Sequence, residues 1–146
     1  MRLPALWLIL LTMCACSAPP PPSPVADEAG AVSQLQRLPE ADPAKYSAAR
    51  ETKAWRNPLL IVLSSEIRLV DLQNNEIHHL KTHEVLPALA KLPGSAWPYG
   101  RVVAVQVDEG GTDANRVQAR ANKGVVAGSL QDSHLAIQWM EAPSSK

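Results

Sequence analysis

Leu59-Leu60-Ile61-Val62-Leu63, followed across Ser64-Ser65 by Glu66-Ile67-Arg68-Leu69-Val70-Asp71-Leu72, is the stretch on which the fold turns. The first run is continuously apolar and rich in β-branched residues, which suits a strand buried on both faces. The second alternates polar with apolar residues, the period-two pattern of a half-buried strand. Asn74-Asn75 is a turn signal, and Glu76 to Leu80 suits a short returning strand. A sheet therefore opens the domain, and everything downstream has to pack on it.

Downstream, Thr82 is placed to cap a helix beginning at His83. Val85, Leu86, Leu89, Ala90 and Leu92 recur at spacings of three and four, giving one apolar face, and Pro93-Gly94 stops it. Arg101 to Val107 reads as the clearest strand, with Asp108-Glu109-Gly110-Gly111 as its exit loop. Thr112 or Asp113 then caps a helix carrying Val117, Ala121, Val125 and Gly128, which Gly124 is expected to interrupt. His134 to Met140 is a last strand and Glu141 to Lys146 a polar tail. The order β-β-(β)-α-β-α-β predicts an α+β fold over residues 58–141: a two-layer sandwich with an about four-stranded sheet and two helices on one face.

Upstream, Asp42-Pro43 is a helix start, with Asp as N-cap and Pro at the first helical position. Residues 41–57 are expected to form a marginal helix docked through Trp55, ending at Asn57-Pro58. Before it, residues 16–40 read as a Pro/Ala-rich tether. Ser17 to Pro24 has polyproline II character, and a fully extended Ser17–Glu40 would reach roughly 75 Å.

The N-terminus has the features of an export signal over residues 1–15. Arg2 is basic, and Leu3 to Met13 is an apolar run too short for a bilayer core that needs ~20 residues. Met13-Cys14-Ala15-Cys16 resembles the lipobox of bacterial lipoproteins, in which a small residue precedes a cysteine that receives a diacylglyceryl group. The resemblance implies lipidation of Cys16. Cys14 is the alternative, although bulky Met13 then stands where that family has a small residue. Ordinary cleavage after Ala15 or Ala18 would instead release a soluble periplasmic protein. Ser17 stands where an Asp in the family retains proteins at the inner membrane, so the resemblance implies an outer-membrane location facing the periplasm.

The bulk composition excludes several classes of function. With 14 basic and 14 acidic residues the net charge is zero, and no basic stripe marks a nucleic-acid surface. The only two cysteines, Cys14 and Cys16, precede the domain, which therefore has no internal disulfide, thiol nucleophile or cysteine-bound zinc.

The order of elements from Leu60 to Trp139 resembles the periplasmic domain of the ExbD/TolR family. Ile67–Leu80 matches its strand-turn-strand opening and Val85–Leu92 its Leu-rich first helix. Val102–Asp108 matches a strand ending in Asp, and Leu135–Trp139 the final strand. The family's membrane-spanning helix with its coupling acid has no counterpart here. The resemblance thus implies a periplasmic interaction module without the motor role.

Candidate sites are sparse. His78, His79 and His83 would offer a zinc pair on a continuous helix, but Thr82 is expected to divide strand from helix and leave a solvated loop. Asp108, Glu109 and Asp113 form an acidic loop that turn chemistry explains without a ligand. Ser64 and Ser65 lie in no nucleophile elbow. The reading is a non-enzymatic binding module with no catalytic, metal or cofactor residue. Its partner, an envelope protein or peptidoglycan, is contacted through Trp97 and Tyr99 on the Pro-restricted loop Trp97-Pro98-Tyr99; in the other reading Trp97 folds back to cap the core. The alternative is a periplasmic hydrolase or metal-binding enzyme using His78–His83 and Asp108–Asp113. Gly124-Val125-Val126-Ala127-Gly128 is expected to pack its small residues against the sheet.

Overall fold

The computed structural model describes residues 24–49 and 51–141. The export signal, Cys14, Cys16, the polyproline run and the polar tail lie outside the described residues. The elements in chain order are α1 (Pro24–Leu35), α2 (Pro43–Tyr46), β1 (Leu59–Val62), β2 (Ile67–Asp71), β3 (Glu76–Leu80), α3 (Val85–Lys91), β4 (Val102–Val107), α4 (Asp113–Asp132) and β5 (Ala136–Met140). The fold is α+β: one five-stranded mixed sheet and four α-helices.

The strand order is β3-β2-β1-β4-β5. Strands β1, β2 and β3 form an antiparallel meander, while β4 joins β1 and β5 joins β4 in parallel. The apolar run that opens the domain thus becomes the central strand. Leu60 is paired with Leu69 on one side and Val105 on the other. Parallel neighbours need crossovers, and α4 supplies the one between β4 and β5.

Alternate strand residues divide the core in two. Leu60, Val62, Ile67, Leu69, Val103 and Val105 meet Ala31 and Leu35 of α1, Val85, Leu86 and Leu89 of α3, and Val126 and Leu130 of α4. Leu59, Val102, Ala104 and Met140 point the other way, against Trp55 and Ala49 of the 41–57 segment. That segment covers only part of its face, and Ile77 on β3 is left 57% exposed.

Five sequence expectations are corrected. The 16–40 tether ends early: Pro24–Leu35 is a helix, and its Ala31 and Leu35 are buried in the main core. Ala31 and Leu35 sit one helical turn apart, so a stretch of small residues still presents one apolar edge. The helix of 41–57 shrinks to Pro43–Tyr46 followed by a 3-10 turn at Thr52–Ala54. Asp42 caps it as expected, accepting from the Ala44 N–H at 3.1 Å, and Trp55 docks. The first domain helix starts at Val85, after a 3-10 turn at Thr82–Glu84 whose N-cap is Lys81 and not Thr82. Pro87 cannot donate back to residue 83, which favours a start that places it in the first turn.

Helix α4, finally, runs unbroken through Gly124 for 20 residues. Burial of Val126 and Leu130 beyond it outweighs one glycine's propensity cost of ~1 kcal/mol. Asn122 adds a clamp, donating to the Leu63 and Ser64 carbonyls at 2.8 and 3.1 Å. Gly124 and Gly128 do not touch the sheet; a Cβ on either would meet nothing within 4 Å.

Candidate functional site

The β2–β3 turn is built by Asp71. Its carboxylate is buried and accepts from the Gln73 N–H at 2.9 Å and from the Asn74 side-chain amide at 2.8 Å. Asn75, at φ 55°, completes the reversal. This sends β3 back as an edge strand, and the chain then turns into α3 through the Lys81–Glu84 cap, where the Lys81 N–H donates to the Glu84 carboxylate at 2.7 Å. Between β3 and α3 the chain leaves an open cleft of about 710 Å³. Leu69, Leu80 and Leu92 form apolar parts of its wall, and Glu76, His78 and His83 polar parts. Asp27 of α1 also lines it.

The cleft's β3 histidines pair with nearby carboxylates. His78 Nε2 stands 3.6 Å from a Glu76 carboxylate oxygen. His79 instead reaches Glu66, Nδ1 to Oε2 at 3.0 Å, and Arg68 donates to the other Glu66 oxygen at 2.7 Å. The His79 hydrogen bond, seconded by Arg68, holds the Glu66 carboxyl below the usual carboxylate range. Neighbouring β3 histidines therefore engage different carboxylates, as the alternation of a strand requires. No group of three or more His, Cys, Asp or Glu among the described residues is arranged to hold a metal ion.

The chain matches no family model, no curated protein and no solved structure. The site is accordingly read from its own geometry.

The other sequence candidates land apart from one another. His78–His83 lies at the β3 edge, and Asp108–Asp113 follows β4, with β2 and β1 between them in the sheet. The acidic loop is internally satisfied. Asp108 accepts from the Gly110 N–H at 2.9 Å, and Glu109 takes two guanidinium bonds from Arg120 at 3.0 and 2.7 Å, which lower its carboxyl pKa. Among the described residues, then, nothing joins the two segments into one site.

Trp97 and Tyr99 are split by the sheet. Trp97 is 4% exposed and packs into the core beneath the helices, the core-capping reading, so its ring is not presented to a partner. It follows the 3-10 turn at Gly94–Ala96, whose Ala96 is buried in the same core. Tyr99 packs on the opposite side against Tyr46 and Trp55, with ring centroids 6.1 and 5.2 Å away. Its hydroxyl donates to the Ala54 carbonyl at 3.2 Å.

The residue that organises this region is Asn57, which the sequence offered only as a helix stop. Fully buried, it donates to the Gly100 and Val102 carbonyls, both at 2.8 Å, and accepts from the Tyr99 N–H at 2.9 Å. A lone Asn before Pro gives no sign of partners more than 40 residues away.

Proposed function

We propose that this chain is an envelope lipoprotein, held by a lipid on Cys16 and facing the periplasm from the outer membrane. In this reading its α+β domain binds another envelope protein through the cleft between β3 and α3. The observation that carries the binding role is the cleft itself. It offers carboxylates and imidazoles beside apolar side chains, with no nucleophile and base in contact, which suits recognition of a partner's basic and apolar side chains. The lipobox-like Met13-Cys14-Ala15-Cys16 supports the anchor, and Ser17 the outer-membrane location. The resemblance of the order of elements from Leu60 to Trp139 to ExbD/TolR periplasmic domains supports reading the domain as an interaction module.

The anchor and the cleft are tested separately. Cys16→Ser should move the protein from the membrane pellet to the soluble fraction after a high-salt wash, and a Cys16→Ser protein that stays in the pellet would refute the anchor. Pull-down of the tethered protein from envelope extract should recover a partner that Glu76→Gln/His83→Ala loses. Retention of that partner by the double variant, or capture of peptidoglycan alone, would refute the cleft assignment. Among the described residues no helix is long and apolar enough to cross a membrane.

A further inference from the structure

At the other end of the sheet, where β4 and β5 begin, an open pocket of about 510 Å³ is lined by Glu40, Ala41, Arg101, His134 and Ala136. It shares no lining residue with the β3–α3 cleft. Arg101 is fixed there by its backbone: its N–H donates to the Pro39 carbonyl at 2.8 Å and its carbonyl accepts from Ala136 at 2.9 Å. Its side chain is only 16% exposed. Yet Nε is buried with no acceptor among the described residues. Among the described residues, the one carboxylate paired with the guanidinium, Glu40, stands 3.6 Å off, beyond a good hydrogen bond, on a side chain 90% exposed. A cation largely withdrawn from water and so loosely paired is costly, and five N–H donors in a planar fork call for an oxyanion.

A second observation comes from His134. It occupies the residue after the Ser133 C-cap of α4, with φ 57°. The Leu135 N–H closes this helix end by donating to the Leu130 carbonyl at 2.9 Å. The position ordinarily takes Gly, because a side chain at positive φ is strained. Here the chain keeps a histidine, and the strain places an imidazole on the wall of the pocket that holds Arg101.

We infer that Arg101 and His134 form a binding site for a carboxylate carried on a small aliphatic group. Glu40 stands in for the ligand when the site is empty: its carboxylate lies near the guanidinium without engaging it closely. Its negative charge at the rim also selects against a dianion such as phosphate. Ala41 and Ala136 give the open pocket an apolar wall beside the carboxylate, which suits an aliphatic substituent. The guanidinium takes the two carboxylate oxygens, the imidazole supplies a further N–H, and the Glu40 side chain swings into solvent.

The test follows the Arg101 side-chain Nε–H signal in ¹⁵N-labelled full chain titrated with N-acetylalanine. The methyl ester of N-acetylalanine and inorganic phosphate serve as separate arms. N-acetylalanine should shift the signal saturably and its ester should not. Glu40→Gln removes the internal competitor and should tighten binding by about two- to five-fold. His134→Gly should raise the thermal midpoint while weakening binding, opposite directions that a merely structural histidine would not give. Arg101→Gln should abolish binding. The inference is overturned if neither the wild type nor Glu40→Gln shows a saturable shift, if the ester or phosphate binds as well as N-acetylalanine, or if His134→Gly binds unchanged.

Discussion

Gly100 lies so close to Glu40 that a Cβ on it would stand 2.1 Å from the Glu40 carbonyl oxygen and 2.8 Å from the carbonyl carbon. Its φ of 78° is also one that side chains disfavour. The approach is held by two backbone bonds, Arg101 N–H to Pro39 O at 2.8 Å and Asp42 N–H to Tyr99 O at 3.0 Å. Gly100→Ala must therefore push the 39–42 segment off β4. We expect a loss of about 2–3 kcal/mol in urea unfolding, and an unchanged midpoint would show that this contact is dispensable.

Helix α1 is expected to be part of the cooperative unit. Leu35→Ala removes a side chain buried against the α3 and sheet residues and should cost about 2–4 kcal/mol. Amides in the second half of α1 should exchange slowly with solvent, together with those of Leu60–Val62 and Val103–Val107. Exchange of α1 at the rate of an unstructured chain would contradict its place in the core.

The strands were legible in the sequence because their burial is written in residue type. Leu59–Val62 and Val102–Val107 are apolar at every position but Gln106, and Ile67–Asp71 alternates. Helix α1 was not legible. Its packing surface is made largely of alanine and valine, and the prolines before it drew the reading toward an extended spacer. Nor were the roles of Asn57 and Arg101, because each depends on backbone brought close from a distant part of the chain, or that of His134, which stands where a helix end ordinarily takes Gly. The cleft was partly legible: His78 and His83 were singled out, but the turn that sets β3 opposite α3 depends on Asp71, which reads as an ordinary strand end.

Asn57→Ala deletes three hydrogen bonds, two of them buried, and leaves the Tyr99 N–H and the Val102 carbonyl without this partner. The expected loss is about 2–4 kcal/mol in thermal or urea unfolding. Tyr99 fluorescence and near-ultraviolet dichroism should change with it, since the same amide fixes the Tyr46–Trp55–Tyr99 cluster. An Asn57→Ala protein with unaltered near-ultraviolet dichroism would break that link.

Glu66 gives a pH test with a definite sign. Its folded-state carboxyl pKa is lowered, first by the His79 hydrogen bond and then by Arg68, from an ordinary value of 4.5. The stability it contributes is therefore fully present above that ordinary value and is lost as the pH falls through the lowered one. His79→Ala should move the Glu66 titration, followed by carboxyl-carbon NMR, back up toward 4.5. A midpoint unmoved in His79→Ala would leave Arg68 as the sole cause.

Gly124 and Gly128 lie in a helix interior with open space around them. Gly124→Ala and Gly128→Ala should each stabilise the domain by roughly 0.5–1 kcal/mol, read as a raised thermal midpoint. Destabilisation by either would mean that the helix needs the bare backbone there.

The early onset of α1 would set the reach of the proposed anchor. With Cys16 acylated, only Ser17 to Ser23 separate the lipid from the helix, and seven residues stretch to at most about 25 Å. That is a short leash. The domain would then patrol a thin layer above its own membrane and could not cross the compartment to a distant surface. Any partner would have to come within that layer, embedded beside the anchor or reaching down to it.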